Sequence, residues 1–96
     1  MTTCNSLEDV RSNIDRIDRD IVALLAERGT YVKQAAKFKK TSDDVKAPQR
    51  VEQVINKVVG LSHELDANPK VIEAVYRAMI SAFIEAELAE HARLGQ

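Results

Sequence analysis

The sequence has little cysteine, proline or glycine: its 96 residues include one Cys, two Pro and three Gly. One cysteine, Cys4, excludes an internal disulfide framework and a metal site built from several cysteines. No apolar run approaches the roughly 18 residues that a membrane helix needs, and the first residues lack the apolar segment of a signal peptide. We therefore expect a cytoplasmic protein with no membrane partner.

The sequence also lacks an excess of positive or negative charge, since it has 14 Lys and Arg residues and 15 Asp and Glu residues. A net charge of −1 gives no field that would attract DNA or RNA, so no nucleic-acid partner is expected. A hydrophobic content of 45% is too high for a disordered chain. The length suits one domain over residues 1–96 with room for one active site.

Residues 7–40 contain no helix breaker except Gly29. Ser6 followed by Asp9 resembles a capping box at the start of a helix. Apolar residues then recur in steps of three and four, with one charged interruption. The pattern predicts a first helix from Leu7 to Lys40, followed by a loop over Thr41–Asp44. Its apolar face comprises Val10, Ile14, Ile17, Ile21, Leu24, Tyr31, Ala35 and Phe38.

Two further helices are predicted, and no strand signal occurs. Pro48 suits the first turn of the second helix, which Gly60 is expected to end or weaken. Asn68 and Pro69 resemble an N-cap and first helical residue for the third helix, which should end near Arg93. The inner face of that helix should carry Val71, Ile72, Val75, Met79, Ile80, Phe83, Ile84 and Leu88. The predicted fold class is all-α, with three helices and a very long first helix.

The apolar face of the first helix is longer than either other helix could cover. A compact monomer would leave part of this face in water, whereas a second copy could bury it. We therefore predict a homodimer in which the long helices cross, with a two-fold interface. A monomeric helical hairpin is the alternative.

Several charged residues lie at or beside these apolar faces. Arg28 interrupts the face of helix 1, and on an ideal helix Lys39 would point within about 20° of the same direction, about 16 Å away. Val32 belongs to the surface between them. Arg11 lies 17 residues before Arg28, too far to share a small ligand within one chain, but a second subunit could bring it close.

Two carboxylates occupy similar positions. Glu52 lies at the edge of the apolar face of the second helix, and Glu87 continues that of the third. Any one of these five charged residues alone is more typical of a surface ion pair or a cation extended into solvent. Together they indicate a buried site for an anion, because a polar group on an apolar face needs a partner.

The segments LEDVRSNIDRIDRDIVALLAERGTYVKQAAKFKK, APQRVEQVI and VYRAMISAFIEAELAEH resemble the AroQ class of chorismate mutases, an all-helical dimeric family. The resemblance covers nearly the whole chain. YVKQAAKFK and APQRV also resemble the isochorismate-pyruvate lyase branch of the same family. The implied fold is an intertwined homodimer, and the implied reaction is the rearrangement of chorismate to prephenate.

The resemblance also implies roles for individual residues. Arg11 from one subunit and Arg28 from the other would hold the two carboxylates of chorismate, for which guanidinium groups are well suited. Lys39 would contact a substrate carboxylate and the ether oxygen, and Glu52 would accept from the substrate hydroxyl. Apolar walls would come from Val32 and Ile84. A pericyclic reaction needs no metal or other cofactor, only restraint of the substrate and stabilisation of charge on the ether oxygen.

Two positions depart from the family pattern. Glu87 stands where bacterial mutases commonly carry Gln, and a carboxyl group can donate to the ether oxygen only when it is protonated. Catalysis by neutral Glu87 predicts a rate that rises as pH falls, and a flatter profile in Glu87→Gln. Pro48 stands where some mutases have Asp, which leaves recognition of the hydroxyl to Glu52.

Alternative functions stay open at this point. Isochorismate-pyruvate lyase would use the same cations to form salicylate, and a mutase acting on 4-amino-4-deoxychorismate is a third possibility. The presence of Glu52 favours the chorismate mutase. A helical dimerisation module without activity is the alternative from another class, in which the charges set register. His63 and His91 are interpreted as surface residues because they lack acidic neighbours at metal-ligand spacing.

Overall fold

The computed structural model describes residues 3–94, which form helices joined by short turns and contain no strand. They form four helices: α1 (Leu7–Ala36), α2 (Ser42–Lys46), α3 (Pro48–Glu64) and α4 (Pro69–Leu94). The all-α class is therefore confirmed, with three long helices and a short additional one. No helix within residues 3–94 combines the length and apolar character required to span a bilayer.

The chain divides into two compact units. The first ends at Tyr31 and contains most of α1, and the second begins at Val32 and contains the last residues of α1 together with α2, α3 and α4. All five buried apolar residues among those described belong to the second unit: Ala36, Val45, Ile55, Val58 and Ile80. The helix α4 packs against both α2 and α3.

The start of α1 follows the local signals in the sequence. Ser6 Oγ accepts from Asp9 N at 3.0 Å, and Asp9 Oδ2 accepts from Asn5 N at 3.2 Å. The returning contact therefore reaches Asn5, one residue earlier than in a standard capping box. The predicted apolar face of this helix is exposed along its length in the first unit, with Ile14, Ile17 and Ile21 at 49%, 45% and 47% exposure.

The predicted end of the first helix at Lys40 is wrong, because α1 ends at Ala36. Lys37 N, Phe38 N and Lys39 N donate to carbonyls three residues earlier, at 3.2, 3.0 and 3.3 Å. These shorter-range bonds tighten the chain into a turn and satisfy carbonyls at the helix end. Phe38 leaves the predicted apolar face and is 83% exposed. Lys39 therefore lies beyond the helix, so its predicted alignment with Arg28 along one helix is also wrong.

The predicted loop over Thr41–Asp44 is wrong as well, since α2 begins at Ser42. Thr41 is its N-cap: Thr41 Oγ1 accepts from Asp44 N at 3.1 Å, and Asp44 Oδ2 accepts from Thr41 N at 3.2 Å. This reciprocal pair is a capping box with Asp in place of Glu or Gln. Ala47, with φ of 37°, separates α2 from α3.

Pro48 starts α3 as predicted, but Gly60 does not end it, since the helix continues to Glu64. The actual end has its own signal: Asp66 has a φ of 56°, and Ala67 N donates to Ser62 O at 2.7 Å. This bond spans the last turn as in a Schellman motif, in which the left-handed residue reverses the chain.

Asn68 caps α4 as predicted, since its Oδ1 accepts from Lys70 N at 3.0 Å. The helix ends at Leu94, one residue after the predicted Arg93. The predicted inner face is correct for Ile80, which is buried, but not for Val71 and Val75, which are each 54% exposed.

Candidate active site

A largely buried ion pair joins α4 to the segment that follows α1. Lys39 Nζ lies 3.2 Å from Glu87 Oε2, and the side chains of Lys39 and Glu87 are 28% and 9% exposed to solvent. Burying a carboxylate is costly unless a charge of opposite sign compensates it. The structure thus brings together Lys39 and Glu87, both predicted to contact the ether oxygen of the substrate, from positions 48 apart in the sequence.

The Lys39 ammonium has a second acceptor on α2. Lys39 Nζ donates to the backbone carbonyl of Asp44 at 3.2 Å. The Asp44 side chain meanwhile accepts from Lys40 N at 3.1 Å and from Thr41 N. These backbone donors, from Lys40 first and then Thr41, lower the pKa of the Asp44 carboxyl. The capping box of α2 therefore fixes the backbone around Lys39 and supplies one of its side-chain contacts.

A histidine that was predicted to lie at the surface contacts the same lysine. His91 is only partly exposed, and its Nε2 lies 2.8 Å from the Lys39 carbonyl oxygen. Spacing alone gave no signal of this contact, because the partner is a backbone atom 52 residues away.

Glu52 is exposed and paired with an arginine that the sequence analysis did not single out. Arg77 Nη1 lies 2.9 Å from Glu52 Oε2, and Arg77 Nη2 lies 3.0 Å from Glu52 Oε1. Arg77 Nε also donates to Glu73 Oε2 at 2.9 Å. The Arg77 hydrogen bonds lower the pKa of the Glu52 carboxyl, and the Glu52 carboxylate is in turn the main cause that raises the pKa of Arg77. Both oxygens of Glu52 are therefore engaged by one guanidinium.

The remaining predicted site residues are distributed between the two units. Val32 and Ile84 are half-buried in the second unit, on α1 and α4. Arg11 is exposed and Arg28 is half-buried in the first unit, both on α1. A site that combines these arginines with Lys39 and Glu87 stays a prediction.

An open cavity lies beside Lys39's partner Asp44, within the second unit. Its volume is about 520 Å³, and its lining includes Asp44, Pro48, Arg50 and Gln53. Pro48 thus lines this cavity at the start of α3. Residues 3–94 contain no group of three or more His, Cys, Asp or Glu side chains that could hold a metal ion.

Comparison with known proteins gives matches along most of the chain. Residues 10–88 match the family described as Chorismate mutase type II. An isochorismate pyruvate lyase from Pseudomonas aeruginosa is 33% identical over 85 residues, which cover 88% of this chain and 84% of that protein. A bifunctional chorismate mutase/prephenate dehydratase from Aquifex aeolicus is 33% identical over 85 residues, which cover 84% of this chain and 24% of that protein. The chain thus spans most of the first relative but only about a quarter of the second.

Proposed function

The chain belongs to the chorismate mutase type II family, whose matched relatives are enzymes of chorismate metabolism, and we propose that it converts isochorismate to salicylate and pyruvate. The observation that carries the proposal is the largely buried ion pair of Lys39 and Glu87. It holds an ammonium group, partly shielded from water, where the segment before α2 meets α4. A single domain over residues 1–96 would supply this activity.

The chemistry requires little more than restraint and a fixed cation. In the lyase reaction the ether C–O bond breaks while a ring hydrogen moves to the methylene carbon of the enolpyruvyl group, which leaves as pyruvate. Negative charge develops on the ether oxygen, and the Lys39 ammonium is suited to stabilise it. Arg28, and Arg11 from a second subunit, would bind the two carboxylates and hold the arm over the ring. Val32 and Ile84 would form apolar walls.

Two observations favour the lyase over the mutase. The alignment with the Pseudomonas aeruginosa lyase covers 84% of that protein. The presence of Glu52 in the sequence favours the mutase, but in the structure Arg77 binds both of its carboxylate oxygens. A carboxylate held in this way keeps only about two of its four lone-pair positions for other donors, and turning it toward a substrate hydroxyl would break two charge-assisted hydrogen bonds.

Chorismate mutase is the second candidate, in which the same site converts chorismate to prephenate. It is favoured by the alignment with the Aquifex aeolicus bifunctional protein and by the presence of Glu52. In its own substrate, each reaction breaks the ether bond between the ring and the enolpyruvyl group, without a nucleophile or cofactor. The Lys39 ammonium would therefore serve either one.

Glu87 accepts from Lys39, which fixes the direction of the ammonium. When protonated, it could instead donate to the ether oxygen, as a Gln amide would. Catalysis by the protonated form predicts that kcat rises as pH falls and that Glu87→Gln flattens this dependence. A wild-type kcat that is independent of pH would contradict that role and leave Glu87 as the partner that orients Lys39.

We infer that a second copy of the chain completes the site. The support is the exposed apolar face of α1 in the first unit, where Ile14, Ile17 and Ile21 keep nearly half of their exposure. Such a face is typical of a surface that another chain covers. A two-fold pairing would bury it and would allow Arg11 to reach the partner's site.

Incubation of the purified protein with isochorismate and with chorismate, separately, tests the proposal. We expect equal amounts of salicylate and pyruvate from isochorismate, with a larger kcat/KM than for prephenate formation from chorismate. Lys39→Met should lower kcat/KM for both substrates by about 100-fold to 1000-fold, because it removes a donor to the developing charge.

Lys57→Met is the matched control, since Lys57 is exposed on α3 and lies outside the proposed site. It should leave both activities unchanged. Prephenate as the main product would establish the mutase instead, and turnover of neither substrate would favour a dimerisation module without activity.

A further inference from the structure

Lys39 depends on tertiary contacts for its position, because it lies outside any helix. In the segment between α1 and α2, three successive short-range backbone bonds end at Lys39, and the Asp44 side chain accepts from the next two amides. The Lys39 amide makes a rather long bond of 3.3 Å to the Ala36 carbonyl. These bonds hold backbone amides, whereas the carbonyl and the ammonium of Lys39 have their partners on α2 and α4.

Two residues of α4 hold Lys39 at opposite ends. Glu87 accepts from the ammonium, and His91 Nε2 lies 2.8 Å from the backbone carbonyl oxygen of the same lysine. Glu87 and His91 are four residues apart, so their side chains lie on one face of the helix. One turn of α4 thus contacts both the charged end of Lys39 and its backbone.

The contact also determines where the histidine carries its proton. A carbonyl oxygen can only accept a hydrogen bond, so Nε2 must bear hydrogen. The neutral ring with hydrogen on Nε2 and the doubly protonated ring both meet this requirement, whereas the neutral ring with hydrogen on Nδ1 does not.

We propose that His91 is a positioning residue for catalysis: it donates from Nε2 to the Lys39 carbonyl and so holds the Lys39 ammonium toward the substrate. The inference rests on the proposed function, in which Lys39 stabilises the ether oxygen. Small displacements of a catalytic group are expensive, since about 1 Å can cost about 100-fold in rate. A purely structural role, in which His91 only docks the last turn of α4, would change stability without changing the kinetics of the folded enzyme.

Kinetics of His91→Leu and His91→Gln separate these roles, since Leu removes the donor and the Gln amide nitrogen can replace Nε2. We expect His91→Leu to lower kcat on the order of tenfold, with KM changed less than about twofold, and His91→Gln to restore most of kcat. The other histidine provides the control: His63 is exposed on α3, so His63→Leu should retain wild-type kinetics. A His91→Leu enzyme with wild-type kcat per folded protein would overturn the proposal.

Two NMR measurements test the inference independently of activity. In the wild type, a long-range 1H–15N spectrum should show hydrogen on His91 Nε2, and a spectrum with hydrogen on Nδ1 alone would overturn the proposal even if His91→Leu fails to fold. The backbone order parameter of Lys39 should fall in His91→Leu and recover in His91→Gln. If the wild type converts neither isochorismate nor chorismate, the proposed function fails, whereas the order parameters still decide whether His91 positions Lys39.

Discussion

The two compact units differ in that, among the described residues, only the second unit contains buried apolar side chains. In the first unit, Ile14 and Ile17 on α1 keep 49% and 45% of their exposure, whereas in the second unit Ile55 and Ile80 keep 3% and 7%. Both sets follow helical spacing, so periodicity predicts which face of a helix is apolar but not which surface covers it. The apolar face of α1 in the first unit, where no described residue is buried, therefore points to a partner.

A charge on the α1 face is the strongest way to test this difference. Ile17→Glu should convert a dimer to a monomer and lower kcat/KM by at least about 100-fold, since burial of an unpaired carboxylate costs several kcal/mol. Light scattering after size-exclusion chromatography measures the change. Arg16→Glu adds the same carboxylate at the neighbouring exposed position and should leave the dimer intact. A monomeric wild type, or a dimeric and active Ile17→Glu, would contradict the inference.

Alanine substitutions sharpen the comparison between the units. Ile55→Ala leaves a cavity in the core of the second unit and should lower the free energy of unfolding by about 3 kcal/mol. Ile17→Ala should instead cause a loss that depends on protein concentration, because its burial is coupled to dimer formation. Urea unfolding at two protein concentrations distinguishes the effects. If Ile17→Ala costs under about 0.5 kcal/mol at every concentration, as expected for an exposed site, no partner covers that residue.

Local signals in the sequence predicted most helix starts and missed other boundaries. The Asn68–Pro69 cap and Pro48 are single-residue signals that act on their own turn, so they could be read directly. The end of α1 at Ala36 has no Gly or Pro to mark it. Thr41 and Asp44 form a capping box with Asp in place of the usual Glu or Gln, within a polar stretch that is also typical of a loop. Gly60 lies inside α3 because tertiary context overrides the modest cost of one glycine to a helix.

The candidate site was predictable in its residue types but not in its pairing. Glu87 stood out because a carboxylate on an apolar face needs a partner, and Lys39 is that partner. Arg77 gave no signal, since an arginine on the exposed side of a helix is ordinary. His91 was missed because its contact is with a backbone carbonyl, which any residue type could provide. Contacts of this kind depend on how helices pack, and spacing within one helix does not encode them.

The charges of the second unit offer a test of substrate choice. Arg77→Met would release Glu52 from its two hydrogen bonds and should shift the ratio of lyase to mutase kcat/KM by about tenfold toward the mutase, comparable to the loss of one charge-assisted bond. Parallel assays with isochorismate and chorismate measure the ratio. Glu73→Gln removes the other carboxylate that contacts Arg77 but leaves the Glu52 pair, so its ratio should equal that of the wild type. An unchanged ratio in Arg77→Met would mean that Glu52 does not select the substrate.

The smallest effect should come from the exposed Asp44 carboxylate at the start of α2. Its pKa is lowered below 3.8, chiefly by the Lys40 and Thr41 amides, so the folded state binds a proton less readily than the unfolded chain does. The resulting stability is present above the ordinary pKa and is lost as pH falls through the lower folded value. Asp44→Asn should therefore lose less stability than the wild type between neutral pH and a pH below 3.8, as measured by urea unfolding. The variant should still lose some stability in acid, because the pKa of Glu52 is also lowered. If the free energy of unfolding falls with pH equally steeply in both proteins, the charge of Asp44 does not contribute to stability.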